Sequence, residues 1–151
     1  MILDAVLAYL HFTAIFLLYS LLVTQAMVMR APLDESGIRL LSRVDIGYAI
    51  SAVAVLLTGM LRLGFGAKGA DFHLGNWPVY VKVGLFLAVG LISIKPTLEF
   101  IKWRRALDHD AAWQLPPLEQ AAMRRIVMIE VHLAALIPIF AVIMARGIGY
   151  K

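Results

Sequence analysis

Residues 3–29 read LDAVLAYLHFTAIFLLYSLLVTQAMVM, a run whose strongly polar members are only Asp4, His11 and Gln25. A helix crosses the hydrocarbon core of a bilayer with about 20 apolar residues. This run is therefore a membrane span, ended by Arg30, Pro32 and the acidic pair Asp34-Glu35. It is too long for the apolar core of a cleavable signal and Asp4 stands where such a signal is basic, so it is expected to be retained. Three further runs follow. Residues 44–63 form the second. Residues 78–103 form the third, opened by Trp77-Pro78, because proline is tolerated in a first helical turn, and closed by Lys102, Trp103, Arg104 and Arg105. Residues 124–146 form the fourth, reached through Asp108, His109, Asp110 and Pro116-Pro117. A glycine-rich stretch, GFGAKGADFHLGN, joins the second and third.

The whole chain agrees with that reading. Of its 151 residues 62% are hydrophobic and 16% charged, against about 45–50% and 25% in soluble domains. Four spans fill residues 1–151 as one membrane domain and leave no room for a soluble catalytic unit. The net charge of +4 sits at span ends beside tryptophans, which is a membrane-flank pattern rather than a nucleic-acid face. With no cysteine, disulfides and thiolate chemistry are excluded and the redox compartment is not legible.

Arg30, Arg39, Arg43, Lys102, Arg104, Arg105, Arg124 and Arg125 flank one side, and Arg62, Lys68, Arg146 and Lys151 the other. The positive-inside rule places the first and third loops in the cytoplasm and both termini outside, in a bacterial inner membrane. Short connections predict an all-α, antiparallel up-down bundle of four transmembrane helices.

Ionisable groups cost at least about 2.5–3.5 kcal/mol near mid-membrane on insertion scales, so the faces they occupy are informative. Asp4, His11, Leu18 and Gln25 recur every seven residues. Asp45, Tyr48, Ala52, Val55, Gly59 and Arg62 follow the three-then-four spacing of a helical seam. Lys82, Val89, Pro96 and Trp103 form a third stripe with Ser93 alongside, and His132, Ile139 and Arg146 a fourth. Glu130, two residues from His132, is rotated away from it, and Pro96 and Pro138 are expected to kink their helices.

On this reading His11 and His132 reach similar depths beneath outer-facing Arg62, Lys82 and Arg146. Imidazoles are axial ligands for haem iron, and haem propionates need cationic partners. The expectation is a non-covalently held haem b, with His11 and His132 on the iron. The plainer alternative has both histidines hydrogen-bonding within the bundle while Arg62 and Lys82 reach the interface and pair with Asp4 or Asp71. His73 and His109 are read as solvated loop residues. Asp45 is read as capping the second helix, and Lys95 and Glu99 as an i,i+4 pair.

LAYLHFTAIF, DIGYA, LLTGMLR, WPVYVKVGLFL, SIKPTLEFIKW and PIFAVIMARG resemble a bacterial family of small membrane proteins of uncharacterised function. More distantly, His11 after Leu10 and Lys82 early in the third span are similar to HemJ-type protoporphyrinogen oxidases, which implies a porphyrin-associated four-helix architecture. Ile15 to Leu18 and Ser93 to Thr97 depart from that type, so the likeness does not carry the oxidation itself.

Three functions compete. The first is a b-type haem protein relaying electrons, with or without protons, from a membrane or periplasmic donor to a quinone-like acceptor. The second is a HemJ-like porphyrinogen oxidase. The third needs no cofactor: Asp4, Asp45, Arg62, Lys82 and Glu130 line an ion or proton conduit, or the chain is a structural subunit of a membrane complex. The expected partners are the lipid bilayer, a quinone or porphyrin, and a second copy or complex subunit.

Overall fold

The computed structural model describes residues 2–65 and 75–148. Four helices follow one another: α1 Ile2–Val28, α2 Glu35–Phe65, α3 Trp77–His109 and α4 Pro117–Ala145. Each is long and apolar enough to cross a membrane. Lys68, Asp71, His73, Tyr150 and Lys151 lie outside the described residues.

Three helices run beyond the spans expected from hydropathy. α2 has 31 residues, about 46 Å at 1.5 Å per residue, against a hydrocarbon core of about 30 Å. It starts nine positions early because Asp34 caps it, its Oδ1 accepting from the Gly37 amide at 2.8 Å and the Ser36 hydroxyl at 2.9 Å. Those donors hold the Asp34 carboxyl below its ordinary range. α3 continues through Arg104 and Arg105 to His109, which is thus an exposed helical residue and not a loop residue. α4 begins at Pro117, whose missing N–H costs nothing at a first position. Hydropathy marks where lipid ends, but arginine and leucine alike favour helix, so the helices outlast the apolar runs. Pro96 and Pro138 both sit inside continuous helices.

The helices form a ring. α1 packs along α2 and α4, and α3 along the same two, while the backbones of the diagonal pairs stay more than 8 Å apart between Cα atoms among the described residues. Contacts between α1 and α2 run in opposing order: His11 bonds Thr58, Leu21 packs on Gly47, and Gln25 bonds Asp45. A Cβ at Gly47 would lie 3.2 Å from Leu21 Cδ1, so glycine permits this close approach. Between α3 and α4, Trp77 meets Phe140 edge-on and Lys102 approaches Glu119.

The core lies in the arginine-flanked half, around the fully buried Leu22, Leu41, Phe100, Trp103 and Val127. Burial ends at Ser51 in α2 and Ala134 in α4. Phe12, Phe16, Ile50, Leu57, Leu91 and Val142 point outward, as suits side chains facing acyl chains.

Gln120, at the start of α4, fastens the turn between α1 and α2. Its Oε1 accepts from the Leu33 amide at 3.1 Å, and its Nε2 donates to the Met29 and Ala31 carbonyls at 3.1 and 2.7 Å. Gln120→Ala strands those backbone groups. It is expected to lower stability by about 1–3 kcal/mol, seen as a lower melting temperature of the detergent-purified protein.

Candidate functional site

Two polar groups lie inside the ring. In the one farther from the arginine-flanked ends, His11 is half-buried and its Nδ1 lies 2.9 Å from Thr58 Oγ1. The Thr58 hydroxyl donates to the Ala54 carbonyl at 2.6 Å. Its oxygen is then the acceptor for an Nδ1–H of His11, which assigns the ring tautomer from the network. Gly59 makes room for the imidazole: a Cβ there would lie 3.3 Å from His11 Cε1. Arg62 stands over the Phe12 ring, 5.5 Å from its centroid, a cation–π contact on the same turn of the α1–α2 pair. The Lys82 amine lies 3.6 Å from Met144 Sδ, and both cations are near enough to act electrostatically on His11.

The structure thus gathers His11, Arg62 and Lys82 but does not add His132. That side chain is exposed on the outer face of α4, and its Nδ1 is bonded within its own helix to the Met128 carbonyl at 2.6 Å. Ile139 and Arg146, on the same stripe, are exposed too. The inward face of α4 is instead Met123, Val127, Glu130 and Ala134. His11 and His132 do not form a facing pair within one chain.

The second group draws on all four helices, deeper in the packed half. Asp45, 5% exposed, accepts from Gln25 Nε2 of α1 and Thr97 Oγ1 of α3, each at 3.1 Å. It lies ten residues inside α2 and does not cap it. Glu130 of α4 is 1% exposed and close enough to Asp45 and Tyr48 to interact electrostatically with both. Its Oε1 has no hydrogen-bond partner among the described residues. None of their ion pairs involves Asp45 or Glu130. Glu99 pairs with Lys102 at 3.1 Å, not with Lys95.

Above this floor a cleft of about 210 Å³ lies between α2 and α3, with Tyr48, Ser93 and Thr97 as its polar lining. Thr97 carried no signal as a single residue. Glu130 did, since it shares the three-then-four spacing of Met123, Val127 and Ala134.

Comparison with known sequences places these features in a family. The chain belongs to the family described as "Predicted membrane protein (DUF2214)". Its family model matches residues 3–149, nearly the whole chain and both polar groups. No curated protein and no solved structure matches, so the HemJ likeness gains no support from them.

The buried carboxylate group and the outward face of α4 can be told apart by mutation. Gln25→Leu takes a donor from a buried carboxylate and is expected to cost about 1–3 kcal/mol. His132→Leu, on the outward face, is expected to stay within about 0.5 kcal/mol of the parent. Thermal melting of both variants in one detergent checks the contrast.

Proposed function

We propose that this chain is a proton-handling membrane protein in which Asp45 and Glu130 share a proton inside the bundle and exchange it through the hydroxyl-lined interior. The observation that carries this reading is the unpartnered, fully buried Oε1 of Glu130 beside a second buried carboxylate. Two carboxylates cannot both stay ionised at close range in a medium of low dielectric constant without a cation to share. Intramembrane carboxylates are functional candidates for that reason. The donor set favours a proton over a metal cation. Gln25 and Thr97 point N–H and O–H groups at Asp45, whereas Ca²⁺ or Mg²⁺ needs lone pairs turned inward.

The opposing contact order along α1–α2 and α3–α4 supports an up-down antiparallel arrangement. The arginines on the extended ends of α2, α3 and α4 support loops one and three in the cytoplasm, hence both termini outside, in a bacterial inner membrane.

A haem-based electron relay is the second reading, favoured by the grouping of His11 with Arg62 and Lys82. It would need a second axial ligand other than His132 of the same chain, or none.

Proteoliposomes carrying an internal pH-sensitive dye test the first reading under an imposed potential. The parent is expected to acidify the lumen faster than empty liposomes. Glu130→Gln and Asp45→Asn should each lose about tenfold or more of that rate, with His132→Ala unchanged. Equal rates in parent and Glu130→Gln, with both eluting as folded protein, would sink the proposal. A visible spectrum with a Soret band that His11→Ala removes would move the assignment to the haem reading.

A further inference from the structure

We infer that the cleft between α2 and α3 is a lateral binding site for a lipid-soluble, quinone-class ring. This goes beyond the proton reading and needs only the same floor. The cleft is built from one wall on α2, Tyr48, Ala49 and Ala52, and one on α3, Phe86, Val89, Gly90, Ser93 and Thr97, closed behind by Leu18, Ala134 and Ile137. Ala49 and Gly90 line it and are also exposed. Both lie near the middle of helices that cross a membrane, so the mouth opens toward acyl chains and not toward water.

Size and chemistry select the occupant. About 210 Å³ is below the roughly 300–1,000 Å³ of drug-sized sites, so the cleft takes a single ring with its tail left in the lipid and excludes a tetrapyrrole. The walls are apolar, with the Phe86 ring on one side. The polar groups converge at one end: the Tyr48 hydroxyl with Ser93 beside it, and Thr97 on Asp45. Ser93 donates to the Gly90 carbonyl at 2.8 Å and Thr97 to Asp45. That leaves the Tyr48 hydroxyl as the donor in the lining, and a ring carbonyl or hydroxyl oxygen accepts from it where an acyl chain cannot. A larger hollow of about 600 Å³ at Arg124, Arg125 and Met128 is lined by α4 alone and has no second wall.

Glycine supplies a clean test. A Cβ at Gly90 or at Gly84 would meet nothing within 4 Å, yet only Gly90 lines the cleft. The parent in lipid nanodiscs is titrated by calorimetry with a short-tailed benzoquinone, against empty nanodiscs. Saturable binding of one ring per chain is expected. It should be weakened about tenfold or more by Gly90→Leu and by Ala49→Leu from the opposite wall, weakened several-fold by Tyr48→Phe, and unchanged in Gly84→Leu. Uptake equal to that of empty nanodiscs, or equal in the parent and both cleft-filling variants, would overturn the site and show partition into lipid only. Proton flux that persists in a chain without quinone binding overturns this site and leaves the carboxylate reading standing. Binding that persists in Glu130→Gln while flux is lost supports both.

Discussion

The Asp45 carboxylate holds three helices to one point. A buried charge-bearing group cannot be left without partners, and here Gln25 reaches it from α1 and Thr97 from α3, while Glu130 approaches from α4. The apolar surfaces of spanning helices are interchangeable with lipid and specify little about who packs on whom. Polar side chains specify more, because each must find its partner at one depth and one rotation. The glycine at position 47 then lets α1 close on α2 just above this node, and the Phe100–Trp103 pair and Val127 fill the space beneath. Satisfying that one carboxylate sets the depth and rotation at which α1 and α3 meet α2.

Much of this was legible in the sequence. The four apolar runs are the four helices, and the stripes chosen for α1, α2 and α3 do turn inward: Leu18 and Gln25, Asp45 and Tyr48, Val89, Pro96 and Trp103 are all buried. On α4 the inward stripe is not that of His132, which is exposed and satisfies one ring nitrogen on the carbonyl four residues back. Glu130 has no such local recourse as a carboxylate, and its face carries the packing residues Met123, Val127 and Ala134. Hydropathy marks a start for α2 at residue 44 and so offers Asp45 as its cap, but the helix begins at Glu35, the cap is Asp34 and Asp45 is interior. Thr97 was not legible at all, since a threonine in a span bonds its own helix as readily as a neighbour.

The bundle is uneven along its length, and that unevenness bears on function. The arginine-flanked half is densely packed and holds the carboxylates, while the opposite half carries His11 with its cations and few buried residues. Between the two, small residues at Ala49, Ala52, Gly90 and Ala134 leave the cleft with its hydroxyl end turned toward the acid pair. On the proposed reading, a proton on that pair has Tyr48, Thr97 and Gln25 as its polar neighbours.

A proton held between Asp45 and Glu130 inside the membrane, as proposed, would be seen by infrared difference spectroscopy of the reconstituted protein across a pH change. A carbonyl stretch of a protonated carboxylic acid is expected in the parent at neutral pH, shielded from rapid deuterium exchange and lost in Glu130→Gln or Asp45→Asn. A parent spectrum showing only ionised carboxylates at neutral pH, or a protonated band untouched by both substitutions, would contradict it.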